Sequence, residues 1–420
     1  MTKRLYYGDP YLTCFAAQVV EWLTWEGQPA VVLDRSAFYP TGGGQPHDLG
    51  TLAGPGPRSV QVTGVVERES DGAVIHLLAG ALEGDDVVGR VEWARRFDLM
   101  QQHTGQHILS AAALESLAAN TVGFHLAGDA ATIDLDRAPL SSEELAEVEA
   151  RANTILTENR QVVARFAPDE EVASLRLRKP VHHAGPVRIV EVAGVDCSAC
   201  GGTHVRATGE IGLIKITRGE RRGAETRVEF LCGGRALRDY AAKNATLMGL
   251  AAELTVGHWE LTDAVHRLSG ELQDTRRGLR RAHDALIDAE AAALWHQAQP
   301  STLPAPSARG GVSYRLVQAH LAGRSPDELK HLAQRLMAYP RTVALLGSGG
   351  QPGEPGHFVF ARSADLEAPM GVLVRQACEM IGGRGGGRPE LAQGGGPDGS
   401  RVMEALEAVS RSLQALLAGQ

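Results

Sequence analysis

The sequence predicts a multidomain α+β protein of four parts, and three observations carry that expectation. The first is length: 420 residues exceed a single hydrophobic core, and a 43% hydrophobic content lets each part fold without disulfide staples. The second is a change of pattern near residue 95, from short β-like runs to helical spacing. The third is the stretch PSTLPAPSARGG at 300–311, which separates a long helical segment from a tail of alternating strands and helices.

Residues 1–94 read as a small β-barrel or sandwich, with short strands at 30–33, 60–66, 74–78 and 87–93 between glycine and proline turns. Residues 95–238 read as an α+β domain. It opens on a helix over 97–117, with apolar Ile108, Leu109, Ala112 and Leu114, and continues to strands at 187–192 and 228–231. Residues 239–299 read as one long helical spacer: Leu254, Leu261 and Leu268 recur every seven residues, as do Val265, Leu272, Leu279 and Leu286, offset by four. That a/d stripe fits a helix packed on its own chain, or a coiled-coil homodimer made through this segment or the C-terminal domain. Residues 312–420 read as an α/β domain. A capping box SPDE at 325–328 opens a helix to Tyr339, strands follow at 343–346 and 358–360, and the glycine-rich loop IGGRGGGRPELAQGGGPD precedes a last helix from Ser400.

Composition narrows the class. A net charge of -8 argues against a large nucleic-acid surface, although basic residues cluster locally at Arg176, Arg178 and Lys179, at 215–227 and at 276–281. The residues after the initial MTKR contain no apolar stretch of signal-peptide type, and no run reaches membrane-spanning length, so no membrane association is expected. Five cysteines in so long a chain fit a reduced, cytoplasmic location, with clustered cysteines free to bind metal.

Two short segments carry the chemistry. In QQHTGQHILS, His103 and His107 stand at i and i+4, which puts two imidazoles on one helix face. No glutamate follows His103, so the metalloprotease arrangement is not supported. In VDCSACGGTHV, Cys200 and His204 are four apart around Gly201 and Gly202, which let the backbone turn closely about a ligand. Three histidines and one thiolate make a four-ligand zinc set, one ion per chain. Cys197 forms a C-x-x-C with Cys200 and is a rival ligand, but a knuckle built on it leaves His103 and His107 unexplained.

HTGQH followed by CGGTH resembles the editing domain of alanyl-tRNA synthetases and their free-standing AlaX relatives. FYPTGGGQPHDLG at 38–50, FHLAGDAATIDLD at 124–136 and GEIGLIKITRGERRGAETRVEFLCGGRAL at 209–237 agree with it. The tail GGRGGGRPELAQGGG resembles the C-terminal domain that the synthetases share with DHH phosphoesterases. An aminoacylation domain is not expected here. Nor is a phosphoesterase Asp-His-His motif, since Val181 precedes His182 and His183. The resemblance implies the long AlaX architecture of barrel, zinc-bearing editing domain, helical spacer and glycine-rich tail. It implies ATP-independent hydrolysis of the ester in seryl-tRNA, and in glycyl-tRNA, charged on alanine tRNA.

It also implies that Thr41, in the PTGGGQ loop, senses the serine hydroxyl, with Gln45 and Gln106 as polar walls. Gln106 is the one candidate for a catalytic role, and no residue stands out as a general base. Arg375, Arg384 and Arg388 are the expected phosphate contacts of the tail. The sequence leaves two other readings open: a tRNA-binding module with a structural zinc, and a metal-dependent hydrolase of small esters.

Overall fold

The computed structural model describes residues 1–126, 128, 130–180, 186–303, 312–351 and 353–418. His182, His183 and most of the 300–311 stretch lie outside the described residues. The chain divides into two compact units, Met1–His258 and Trp259–Gln420.

The first unit opens with a closed six-stranded barrel. Its strands run in the order Cys14–Trp25, Gln28–Leu33, Val74–Leu78, Ser59–Glu67, Gly50–Ala53 and Asp86–Val91, and the last pairs back with the first. Alternation sets which side chains turn inward: Asp86–Val91 reads exposed-buried throughout, and so does the first half of Cys14–Trp25. Glu26 and Gly27, both at positive φ, form the tight hairpin between the first two strands. Phe15, Val31, Leu33, Phe38, Leu52, Val65 and Val74 fill the interior.

Helix α1 (Trp93–Leu117) leaves the barrel directly. Arg96 joins the two: it is fully buried, ion-paired to buried Asp48, and donates to the carbonyls of Pro10 and Ala37 at 2.6 Å each. A charge so deep is tolerable only because its donors are matched. Beyond α1 this part holds α2 (Ser142–Thr157, opened by a Ser141–Glu144 capping box), the short α3 (Asp169–Val172) and two antiparallel sheets. One sheet orders Ile214–Arg222, Glu225–Cys232, Ala131–Leu135 and Thr121–Leu126; the other holds Val162–Ala167, Val187–Val192 and Asp196–Ala199. From Gln102 to Ala113 every residue of α1 is buried. That is why its polar residues can be locked into one geometry.

The helical spacer differs from expectation. The segment 239–297 is two helices, α4 (Gly233–Glu253) and α5 (Leu261–Gln297). Thr255 adopts φ +54°. The amides of Thr255 and Val256 return to the carbonyls of Ala252 and Ala251, a left-handed C-terminal cap that ends α4. Heptad spacing runs through this break, from Leu254 to Leu261, and so hides it. On α5, Val265, Leu268, Leu272, Leu279 and Leu286 are exposed, while Ile287 and Ala291 join the core of the second unit.

That unit is an α/β domain on a six-stranded sheet ordered Pro300–Leu303, Val312–His320, Thr342–Ser348, Gly356–Arg362, Leu391–Gly396 and Arg384–Gly387. Helix α6 (Pro326–Leu336) is the crossover between the one parallel pair, Val312–His320 and Thr342–Ser348. Helices α7 (Met370–Met380) and α8 (Val402–Ala418) pack against the sheet in a separate core cluster. Two expectations are corrected. The expected 300–311 linker begins as a sheet strand, and the glycine-rich loop is an antiparallel hairpin of Arg384–Gly387 with Leu391–Gly396. Glycine has no side chain to show a period-2 pattern, so this hairpin left no signature. No described helix is long and apolar enough to cross a membrane.

Candidate metal centre

Helix α1 presents His103 and His107 one turn apart, and the segment 200–204, following the strand Asp196–Ala199, brings Cys200 and His204 to them. One ligand atom from each of the four lies within 4.8 Å of all the others. Cys200 Sγ is 3.3 Å from both His103 Nε2 and His204 Nε2. Zinc bonds of about 2.0–2.1 Å to nitrogen and about 2.3 Å to sulfur place the ligand atoms of one tetrahedral shell about 3.3–3.6 Å apart, so the donor set and the two Sγ–Nε2 distances fit that ion.

The outer nitrogens explain why the inner ones converge. His103 Nδ1 donates to Gln45 Oε1 at 2.8 Å, His107 Nδ1 to Asp196 Oδ2 at 2.8 Å, and His204 Nδ1 lies 3.1 Å from Thr104 Oγ1. Gln45 and Asp196, offering acceptor oxygens, fix the ring and tautomer of His103 and His107, and Thr104 orients the His204 ring, leaving Nε2 for the centre. These partners are anchored in turn. Gln45 accepts from the Thr203 amide and donates to the Thr203 hydroxyl, Thr104 accepts from the Val205 amide, and Asp196 accepts from Arg178 and Ser198. Arg188, itself buried, donates from one nitrogen to the carbonyls of Cys200 and Gly202 at 2.8 Å and so shapes the loop. Gly202 must be glycine, since a Cβ there would stand 2.2 Å from His103 Cε1.

Electrostatics favour a cation at the centre. Burial alone would raise the Cys200 thiol, but His103 and His204 outweigh it and hold its pKa well below the ordinary thiol range. Burial likewise works against a charged His107, yet Asp196 and Cys200 hold its pKa up at about 9. Asp196 stays ionised, with a pKa of about 2: burial would raise it, and His107 and Arg178 overcome that. Burial pushes His204 down to about 3, which keeps it a neutral donor.

The centre borders a cavity of about 280 Å³ that His103, His107 and Cys200 line together with Gln106, Thr121 and Phe124. Gln106 donates to Ser110 Oγ at 2.8 Å, as Thr121 does at 2.7 Å. Gln45 is fully buried, and both of its amide atoms are engaged by His103 and Thr203. Thr41 is exposed, its hydroxyl bonded to His47 Nδ1 at 2.9 Å; its loop reaches the cavity through Gly43. Sequence reasoning missed Thr104, Thr121, Asp196 and Arg188, and read Arg178 only as part of a basic cluster. Two of these were within reach, since Thr104 is part of HTGQH and Asp196 lies four residues before Cys200, and both are acceptors suited to histidine.

Comparison with known proteins adds lineage. Residues 187–228 match the "Threonyl and Alanyl tRNA synthetase second additional domain", and residues 313–415 match the DHHA1 domain. The alanine–tRNA ligase of Methanoregula boonei is 35% identical over 96% of this chain and 43% of its own length. That of Pyrococcus abyssi is 31% identical over 98% of this chain and 44% of its own. The chain thus spans less than half the length of these relatives. Among solved structures, the C-Ala domain of Aquifex aeolicus alanyl-tRNA synthetase matches 24% of this chain and 92% of that domain at 27% identity, with a TM-score of 0.23.

Proposed function

This chain is related to the alanyl-tRNA synthetases and carries their second additional and DHHA1 domains, and from that premise we propose that its metal centre hydrolyses the aminoacyl ester of mischarged alanine tRNA. Seryl-tRNA is the principal substrate and glycyl-tRNA the second. The observation that carries this reading is the convergence of three oriented imidazoles and a thiolate on the wall of a small polar cavity.

The need for such a reaction follows from binding energetics. A pocket shaped for alanine cannot strongly reject serine, which merely adds a hydroxyl, or glycine, which loses a methyl; discrimination against an added hydroxyl is only about 100-fold in a comparable case. A second, hydrolytic site supplies the missing accuracy.

His103, His107, Cys200 and His204 would hold zinc. When bound, that ion polarises an ester carbonyl or orients the substrate. Gln45, Asp196 and Thr104 act as positioning residues that fix the rings. Gln106 has no partner for its carbonyl oxygen among the described residues, which leaves that oxygen at the cavity wall to orient a water or the substrate's amino group. Thr121, which lines the cavity, is better placed than exposed Thr41 to meet a serine hydroxyl. No carboxylate is among the described residues that line the cavity. One feature favours a second reading: four protein ligands close a tetrahedral shell, the usual mark of a structural zinc in a tRNA-binding module.

One experiment separates them. The 420-residue chain is added to seryl-, glycyl- and alanyl-tRNA charged on alanine tRNA, without ATP and with or without a zinc chelator. Zinc-dependent release of serine and glycine, with alanine spared, is expected. Tight tRNA binding with no ester cleavage would leave only the structural reading.

A further inference from the structure

The basic run Arg176, Arg178 and Lys179 finds its place beside the metal centre. Arg178 and Lys179 line the 280 Å³ cavity. Arg178 also lines a neighbouring cavity of about 360 Å³, together with Arg151, Arg176, Asp196 and Cys197. We propose that Arg176, Arg178 and Lys179 form a phosphate track that receives the 3′-terminal phosphodiesters of the tRNA acceptor end as the chain leaves the aminoacyl cavity. The proposal rests on the ester-hydrolase reading above.

Charge is the first argument. Most arginines of this unit are neutralised at short range: Arg68, Arg96, Arg137, Arg227 and Arg235 each pair with a carboxylate. Arg176 and Lys179 are exposed and make no ion pair among the described residues. In a chain of net charge -8, uncompensated cations set next to a ligand cavity create a local field of the opposite sign. Burial and the Arg178 charge both disfavour the protonated form of Lys179, a cost that an arriving anion would relieve. Both acidic groups among the described residues lining the second cavity are already held, Glu115 by Arg151 at 2.8 Å and Asp196 by Arg178 at 2.8 Å.

Rigidity is the second. Arg178 donates Nε to Asp196 Oδ1 at 2.8 Å, and its backbone amide bonds the Cys197 carbonyl at 2.9 Å. Asp196 holds His107 on its other oxygen. The position of Arg178 is therefore tied to a metal ligand through one carboxylate, while its terminal guanidinium nitrogens make no hydrogen bond among the described residues. Such a fork suits a phosphate oxygen pair.

The substrate's chemistry supplies the third. The ester joins the terminal ribose, whose own 5′-phosphate is the nearest anion to it. A cation placed just outside the aminoacyl cavity can meet that group while the ester lies near the metal ligands. Cations contacting phosphate position a nucleic acid without reading its sequence.

The test uses the full chain, wild type and the double variant Arg176→Ala/Lys179→Ala, on two esters: seryl-tRNA and 3′-O-seryl-adenosine, which has no phosphate. Both residues are exposed, so folding and zinc content should match wild type, checked by thermal melting and metal analysis. The variant should lower the ratio of kcat/KM on seryl-tRNA to that on seryl-adenosine by about tenfold, mainly through KM. It should also flatten the dependence of log(kcat/KM) on log salt by roughly one unit per lost contact. Wild-type protein that cleaves both esters, with a ratio the variant does not move, overturns the track alone. Wild-type protein that cleaves neither overturns the hydrolase reading and the track with it.

Discussion

The loop at 200–204 and the hairpin of Arg384–Gly387 with Leu391–Gly396 are both glycine-rich, and each glycine-rich region serves a different end. At Gly202 a Cβ would stand 2.2 Å from His103 Cε1 and 2.9 Å from Gln45 Oε1. At Gly394 it would stand 2.5 Å from Cys378 Sγ and from Gly385 Cα. Both positions exclude a side chain because another atom already fills the space. In the loop the space belongs to the ring of His103, a candidate metal ligand, and its hydrogen-bond partner. In the hairpin it belongs to a buried thiol on α7 and the backbone of the facing strand. A density of glycines thus marks close approach, and the identity of the approaching atom decides between chemistry and packing.

The largest expected effect breaks that comparison at its sharper end. Gly202→Ala forces a methyl into His103, which Gln45 and the ligand geometry hold in place. Zinc affinity should fall at least about 100-fold, since it loses a ligand together with that ligand's support. Zinc titration of the purified variant checks this, and wild-type affinity would show that the loop has slack the structure denies.

Asp196→Asn comes next, with a loss of about 10- to 100-fold in zinc affinity, the usual cost of removing a ligand's outer partner. The same site sets a pH dependence. His107, held up at about 9 in the metal-free protein, must release a proton before Nε2 can bind metal. Zinc affinity should therefore rise with pH and level off above about 9. In Asp196→Asn the carboxylate that raises this pKa is gone, so the plateau should begin at lower pH. Titrations across pH 6–10 read both shifts, and parallel curves for the two proteins would remove Asp196 from this role.

Gly394→Ala should cost about 1–3 kcal/mol of stability, the ordinary penalty of overpacking, with zinc content unchanged. Its control is Gly386→Ala, where a Cβ would meet nothing within 4 Å; a change within about 0.5 kcal/mol is expected. Chemical denaturation measures both. Equal destabilisation would mean that backbone freedom, not contact, governs the hairpin.

The smallest effect concerns selectivity. Thr121→Val removes a cavity hydroxyl worth about 0.5–1.5 kcal/mol, so seryl-tRNA hydrolysis should drop about two- to twelvefold relative to glycyl-tRNA. Thr41→Val, on the exposed face of its loop, should change that ratio by less than about twofold. The reverse order would return the serine contact to Thr41.

By itself the sequence determined what short-range backbone geometry determines. One helical turn puts His103 and His107 on a common face, and four residues with two glycines bring Cys200 and His204 together, so both candidate pairs were legible as local spacings. Alternation revealed barrel strands, and the Ser325–Glu328 capping box marked a helix start that the structure shows. Tertiary structure alone decided what depends on packing between distant segments. Gln45 reaches His103 across 58 positions and Asp196 reaches His107 across 89, and no local pattern encodes such pairs. The same holds for Thr41. The family resemblance gave it a serine-sensing hydroxyl, whereas the loop packs that hydroxyl against His47 and leaves Gly43 at the cavity. The break between α4 and α5 escaped notice because a leucine period carries no record of backbone φ. The paired strands of the tail escaped because glycine has no side chain with which to display a face.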